Sequence, residues 1–257
     1  KNNAIGYTSS VYGVDNVATI IGEAVGSFYG YKVGKDQTSP MGVFTSSQAA
    51  AQANLYMVDA TGKPQYFKAG DMHFADLNGD GIISEADKTI IGNPNPDIYG
   101  NIFANITWKN LTLSVNFNYS LGNDVFNYQR SILEGGNNFY NQTVAMVNRW
   151  RHEGQVTEMP RLSYGDVMGN SRFSDRWIED GSYLRLKTLR LTYKVPVRYS
   201  WLQGLAVWAE AVNLFTVTHY LGSDPEFSVA NSVLYQGIDA GNVAQGRAVA
   251  VGLKINL

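Results

Sequence analysis

Residues 111–120 alternate strictly. Leu111, Leu113, Val115, Phe117 and Tyr119 are apolar, and Thr112, Ser114, Asn116, Asn118 and Ser120 are small and polar. A period of two sends one set to each face of a β-strand. Just upstream, Ile102, Ala104, Ile106 and Trp108 alternate with mostly polar neighbours, so Lys109-Asn110 between the two runs predicts a tight hairpin turn. The last residues repeat the theme, with Val249, Val251, Leu253, Ile255 and Leu257 set against Ala248, Ala250, Gly252, Lys254 and Asn256. Two further strands are predicted over 182–195 and 205–217, joined by a short Pro-containing connection at 196–200. In the first, apolar parity switches between Leu184/Leu186 and Leu189/Leu191/Tyr193, which predicts a β-bulge near Lys187-Thr188. Another strand is expected within Ala18 to Val33.

These strands, expected at 100–108, 111–122, 182–195, 205–217 and 247–257, are longer than the usual five or six residues of a soluble sheet and tall enough to cross a bilayer when tilted. Their connections alternate between short and long, the long ones being 34–99, 123–181 and 218–246. A transmembrane β-barrel has short turns at one rim and long extracellular loops at the other. The competing architecture is a soluble β-sandwich or jelly roll, whose dry core would have to satisfy every inward Asn, Ser and Thr.

Composition sharpens the choice. Of 257 residues 44% are hydrophobic but only 16% are charged, against roughly 25% in an average soluble domain. Aromatics at 12% and 26 glycines take up the difference, a profile that disfavours helix bundles. A formal net charge of −2 leaves no basic stripe for nucleic acid. No run of 18 apolar residues occurs, so no transmembrane helix is expected, which leaves a membrane barrel open. The absence of cysteine removes disulfides and thiolate chemistry. The opening KNNAIGYTSS has neither an initiator Met nor an apolar core segment, so no signal peptide is expected; the chain reads as a mature protein or a piece of a longer one.

The strongest local chemistry is Asp76-Leu77-Asn78-Gly79-Asp80-Gly81-Ile82-Ile83-Ser84-Glu85-Ala86-Asp87. It matches a calcium loop whose oxygens come from positions 1, 3, 5, 7, 9 and 12: side chains of Asp76, Asn78 and Asp80, the carbonyl of Ile82, Ser84 directly or through water, and the carboxylate of Asp87. Asp at the closing position, in place of Glu, makes bidentate closure less secure. The alternative is a cluster of Asx-turns in which these carboxylates bind their own backbone. A short helix is predicted within 46–58, with Ser46 or Ser47 as N-cap. Residues 133–160, with Asn137, Asn138, Trp150, Arg151 and His152, suit a folded extracellular surface.

Enzyme signatures are missing: there is no G-x-S-x-G, H-E-x-x-H, P-loop or dinucleotide fingerprint. His73, His152 and His219 are far apart and read as loop residues. Glu179-Asp180 is expected to pin a loop by pairing with Arg172, Arg176 or Arg185; a glycosidase would need such carboxylates at a set separation. The tripeptides at Asn105, Asn110 and Asn141 fit the glycosylation pattern, but such tripeptides arise readily in Asn/Thr-rich strands and are discounted.

Several strings together resemble the C-terminal barrel region of the SusC/RagA family of TonB-dependent outer-membrane transporters of Bacteroidetes. They are Ile21 to Tyr31 (IGEAVGSFYGY), Asp76 to Asp87 followed by Thr89 to Pro96 (TIIGNPNP), Asp175 to Lys187 (DRWIEDGSYLRLK), Asn213 to Thr216 (NLFT) and Gly237-Ile238-Asp239. They keep the family's order and spacing over nearly the whole chain. The resemblance implies an all-β fold, the C-terminal portion of a 22-stranded antiparallel transmembrane β-barrel with long extracellular loops. It further implies an upstream plug, a SusD-like lipoprotein lid, energy from TonB with ExbB and ExbD, and import of oligosaccharides or peptides in a Gram-negative outer membrane. One departure is the final Leu257, where outer-membrane proteins usually end in Phe.

The expectation is therefore a non-enzymatic transporter wall with apolar residues toward lipid, Thr, Ser and Asn toward the lumen, and Tyr99, Trp108, Tyr119, Tyr193 and Trp201 as candidate interfacial girdles. Calcium would stiffen an outer loop. The runner-up is a secreted calcium-binding β-sandwich, a carbohydrate-binding or adhesin module; a hydrolase would require carboxylates converging in a cleft.

Overall fold

The computed structural model describes residues 5–11, 14–198, 201–227 and 232–256. Along the chain these form β1 (Ile5–Val11), β2 (Val14–Ile20), β3 (Ser27–Gly30), α1 (Ser47–Ala53), β4 (Tyr56–Val58), β5 (Pro64–Tyr66), β6 (Thr89–Gly92), β7 (Ile98–Trp108), β8 (Leu111–Leu121), β9 (Asp124–Asn127), α2 (Tyr128–Leu133), β10 (Ile178–Asp180), β11 (Tyr183–Val195), β12 (Gly204–Thr218), β13 (Ile238–Asp239) and β14 (Ala248–Asn256). Two units result, a wall unit of Pro96–Asp124, Asp180–Phe227 and Asn242–Leu257, and a loop unit of the remainder.

The wall unit is one antiparallel sheet in the order β14-β12-β11-β8-β7. Its strands fall within two residues of the predicted bounds; Tyr199, Ser200 and Leu257 lie outside the described residues. Lys109 takes φ 53 at the hairpin tip, closing Trp108 onto Leu111 with a two-residue turn. The predicted bulge is present. The register jumps from Leu186 to Thr188 against both neighbours, so Lys187 is extra on β11, while β12 inserts Asn213 and Leu214, with Asn213 at φ 53. Strand ends at Ile98, Leu121, Tyr183, Thr218 and Ala248 lie on one edge and carry the long connections, whereas 109–110 and 196–203 close the other. The outermost strands β7 and β14 are each paired on one side only.

The loop unit departs from the expectation at its start. The single strand expected in Ala18 to Val33 is two short strands, β2 and β3, in a sheet of order β1-β2-β3-β6. Gly22 and Gly26, at φ 92 and 74, break the run between them, and the apolar positions Val17, Ala18 and Phe28 are buried. The predicted helix is α1. Ser46 caps it by accepting from the Ala49 amide (3.1 Å), and Asn54 ends it at φ 51, earlier than the sequence pattern expects, so Tyr56–Val58 is free to form a strand with β5.

Two aromatic cores hold this unit. One gathers Phe44, Phe67, Phe74, Met72 and Ile83. The other gathers Phe28, Phe126, Phe173, Trp177 and Ile238, with Trp177 fully buried and its Nε1 donating to the Arg172 carbonyl (3.1 Å). Each large apolar side chain buried in this way contributes about 1.5–3 kcal/mol. Both cores consist of loop-unit residues, a point that decides the reading of the wall.

Candidate functional site: a two-faced sheet and an oxygen-rich loop

Cross-strand partners share a face, so the register sorts the wall's side chains into rows. One row runs Ile106, Leu113, Leu191, Ala209, Val251; the next runs Ala104, Val115, Leu189, Ala211, Val249; towards the short turns, Trp108, Leu111, Tyr193, Val207 and Leu253 align. This face is apolar along its height, because the Lys187 insertion moves the apolar parity of β11 back into step with β8. The opposite face carries Asn105, Ser114, Arg190, Glu210 and Ala250 in one row and Thr107, Thr112, Thr192 and Trp208 in another.

Among the described residues of the wall unit, no second layer packs on the apolar face. Leu191 is 44% exposed, Ile106 62% and Val251 79%. Residues 111–120 are all partly exposed, so neither flank is packed inside a water-soluble body. A water-soluble sandwich would have to bury these rows under a second sheet. A contiguous apolar face on tall strands is instead the surface that hydrocarbon solvates at no cost.

The polar face holds itself together by side-chain pairing. Asn101 Nδ2 donates to Asn118 Oδ1 (2.6 Å) and to Asn116, and the hydroxyls of Thr107 and Thr112 pair at 3.2 Å. Arg190 lies 4.3 Å over the Trp208 ring and 3.5 Å from Glu210. Next to the bulge, Arg185, only 3% exposed, pairs with Asp224 and with Glu226 (2.8 Å), and Lys187 Nζ meets Glu226 (3.2 Å) and Gln245 (2.7 Å). Asp224 also accepts from the Gln245 amide (2.9 Å), and Ser223 Oγ donates to the Asn242 carbonyl (2.9 Å). Asp224 thus clamps the two ends of the 218–246 connection together.

Of the candidate girdle residues, Trp108, Tyr119 and Tyr193 stand on the apolar face. Tyr99 does not: it shares its row with Ser120, Tyr183 and Thr218 on the polar face. Trp201 lies in the turn before β12.

In the oxygen-rich loop the predicted residues do converge, on their own backbone. Asp76 accepts from the amides of Gly79 and Gly81 (2.7 Å each), Asn78 Oδ1 from Asp80 (3.0 Å), and Asp80 Oδ1 from Ile82 (2.7 Å). Gly79 and Gly81 sit at φ 77 and 80, which makes the tight winding possible. Burial nudges the Asp76 carboxyl up, but the amides of Gly81 and Gly79 outweigh it and hold its pKa below the usual range. Ser84 and Asp87 form a capping box around Glu85–Asp87: Ser84 Oγ accepts from the Ala86 amide (3.2 Å), and Asp87, fully buried, accepts from Ser84 (2.8 Å) and Leu77 (2.9 Å). The Gly81 carbonyl accepts from Tyr56, which ties the loop to β4. The donor set is of the kind calcium takes at Asp76, Asn78, Asp80 and Asp87, each of which here accepts from backbone amides. Among the described residues no three acidic or imidazole side chains stand together as a metal cluster.

The acidic pair pins a loop, but with another partner. Glu179 bonds Arg130 (2.8 Å), which also holds Glu134 (2.9 Å), and Asp180 accepts from the Ser182 amide (2.8 Å). Arg172, Arg176 and Arg185, expected as partners from sequence proximity, are engaged elsewhere. Arg172 lies over the Tyr31 and Phe74 rings, Arg176 over Trp177.

His73 has a constellation that sequence spacing did not reveal. Ser39 Oγ is 2.5 Å from its Nδ1 and Asp36 Oδ2 3.9 Å from the same nitrogen. A nucleophilic triad needs serine and carboxylate on opposite ring nitrogens, and Ser39 is fully buried, so this trio is a structural knot.

No protein-family model matches the sequence. TonB-dependent receptor P3 of Formosa agariphila is 34% identical over 242 residues, 91% of this chain and 22% of the relative. TonB-dependent receptor SusC of Bacteroides thetaiotaomicron is 26% identical over 240 residues, 88% of this chain and 21% of the relative. The RagAB peptide importer in its closed-closed state shares the fold at a TM-score of 0.66 and 23% identity, over 97% of this chain and 25% of that one. The chain spans about a fifth to a quarter of the length of the proteins it matches.

A sheet with one uncovered apolar face, one polar face and alternating short and long connections is a wall segment of a transmembrane β-barrel of the TonB-dependent receptor class. Within that class the chain is similar to SusC over 88% of its own length, and it shares the fold of the RagAB importer.

Proposed function

We propose that the protein containing this chain imports nutrients across the outer membrane of a Gram-negative bacterium of the Bacteroidetes, without enzymatic chemistry of its own. The observation that carries this reading is the apolar face of the wall, on which no second layer of the wall unit packs among the described residues. The rest extends what the family resemblance implies: closure into a 22-stranded barrel, a plug, energy from TonB with ExbB and ExbD, a SusD-like lipoprotein lid, extracellular placement of 34–99, 123–181 and 218–246, and an oligosaccharide or peptide as cargo. The chain's similarity to a TonB-dependent receptor and to a peptide importer supports transport over catalysis. A strain lacking the receptor, grown on a panel of single oligosaccharides and peptides, should lose growth on one of them, and loss of TonB should reproduce that defect. Normal growth of both strains across the panel would overturn the reading.

Calcium binding by Asp76, Asn78, Asp80, the Ile82 carbonyl, Ser84 and Asp87 is part of the same proposal, with the ion stiffening the loop. Its support is the donor set and the glycine-permitted winding. Chelation of the full-length receptor should raise protease sensitivity within 71–95 and leave the barrel folded; unchanged cleavage there argues against a bound ion.

A further inference from the structure

Among the described residues, the edge of the wall that the short turns close is basic and carries no acid. Lys109 stands at the tip of the β7–β8 hairpin, Lys194 near the end of β11, Arg198 in the 196–203 connection and Lys254 near the end of β14, all of them exposed. The acids of the wall unit lie elsewhere. Asp97, Asp124, Asp180, Asp224 and Glu226 belong to the long connections, and Glu210 sits mid-strand beside Arg190. Higher on the wall Arg185, Lys187 and Arg190 each meet a carboxylate, whereas no ion pair among the described residues engages the cations of this edge.

These cations are also set close together. The Lys194 amide donates to the Asn110 carbonyl (2.8 Å), and its own carbonyl accepts from Asn110 Nδ2 (2.9 Å), which ties it to the residue after Lys109. Lys194 and Lys254 both stand opposite Ala206, about 10 Å apart at their backbones. Unpaired like charges at such spacing repel one another, and a bound anion relieves the repulsion. The neighbouring rings say what kind of anion. Lys109 Nζ lies 5.0 Å over the Trp108 ring, and Trp108 and Tyr193, both exposed, end the apolar face at this edge. A ligand that matches has an apolar body running along the face and a negative group at the rim, as an anionic phospholipid does. We infer that the short-turn rim binds anionic phospholipid headgroups, with acyl chains along the row of Ile106 and Leu113 and phosphate at Lys109. Lys194 and Lys254, on the polar side of the wall, and Arg198 in the turn add their field across the edge. The inference rests on the import reading's placement of the wall in a membrane and adds a charge preference at one leaflet.

The test places a fluorophore at Ile106→Cys, an exposed position on the face of Trp108, in an otherwise cysteine-free full-length receptor reconstituted in phosphatidylcholine vesicles. Phosphatidylglycerol or phosphatidylcholine with a spin label on one acyl chain is then titrated in as quencher. Phosphatidylglycerol should quench at about fivefold lower mole fraction, the worth of a basic side chain at an anionic lipid surface, and the advantage should shrink in high salt. Lys109→Gln combined with Lys194→Gln should erase it, and Lys109→Arg combined with Lys194→Arg should keep it. Arg247→Gln, at the opposite edge beside the start of β14, should leave it unchanged. Heat-modifiable gel mobility confirms that each variant is folded. Equal quenching by the two lipids, or an advantage that survives the paired Gln variant, overturns the inference and leaves the membrane wall standing. Quenching by neither lipid overturns both.

Discussion

Asp71 is the acceptor at the centre of the loop unit, and its loss can be sized from its partners. The carboxylate is fully buried and takes four donors: Arg161 Nε at 2.8 Å and its second guanidinium nitrogen at 3.2 Å, Asn170 Nδ2 at 3.0 Å and the Lys68 amide at 2.9 Å. In Asp71→Ala the Arg161 side chain, 33% exposed, can turn to water, so that pair accounts for at most about 1 kcal/mol. Asn170 is buried and also receives the Met72 amide (2.9 Å), so its stranded amino group costs about 1–3 kcal/mol, and the Lys68 amide adds a similar penalty. The expected destabilisation is about 3–5 kcal/mol, in line with breaking a buried pair by removing one partner. The readout is native-state hydrogen exchange of the full-length receptor at the amides of Phe44, Gly70 and Arg161, which bond through this segment. A loss of about 4 kcal/mol speeds exchange from the open state by roughly three orders of magnitude. Asp71→Asn, which keeps one acceptor oxygen, should fall in between. Exchange in Asp71→Ala within tenfold of the parent at all three amides would refute the claim that this carboxylate organises the unit.

The sidedness of the wall predicts that Val251→Arg costs about 2–4 kcal/mol of folded barrel in lipid vesicles, while Ala250→Arg on the polar face costs little; equal effects at the two positions, read by heat-modifiable gel mobility, would remove the lipid assignment. Burial lowers the His73 pKa from its ordinary 6.5, with Asp36 pulling the other way. The folded state therefore resists the proton that the unfolded state accepts. Loop-unit stability should be complete above about 6.5, decline as pH falls below it, and stop declining once pH is under the depressed value. Hydrogen exchange in the loop unit at pH 7.5 and 5.5 measures this, and His73→Gln should flatten the difference; an equally steep profile in that variant would assign the effect elsewhere.

What the sequence disclosed was whatever is periodic or adjacent. Strands β7, β8, β11, β12 and β14 carry their face preference in every second residue, and the Lys187 bulge shows itself as a slip of that rhythm. The N-cap at Ser46 and the glycine-wound loop at 76–87 are likewise local. Contacts between distant positions were hidden. Asp71 meets Arg161, Glu179 meets Arg130, and Ser39 meets His73 only because the long segments fold into a body with its own aromatic cores, and no period marks such pairs. Tyr99 was misplaced for a simpler reason. Aromatic identity suggests an interface, but parity decides the face, and counting from Ile102 would have set Tyr99 opposite it.

The clamp at Asp224 has a bearing on how such a protein can diversify. Because Arg185, Lys187 and Gln245 fasten residues 223–226 and 242–245 to the strands and to each other, the ends of that connection are already held together. The entropy of closing the span is fixed by the frame and depends only weakly on what lies between. The strands on either side thereby keep their places when the stretch between this clamp and Ile238, itself held in the second aromatic core, changes length or chemistry, so new recognition surfaces can be mounted on an inherited wall without redesigning it.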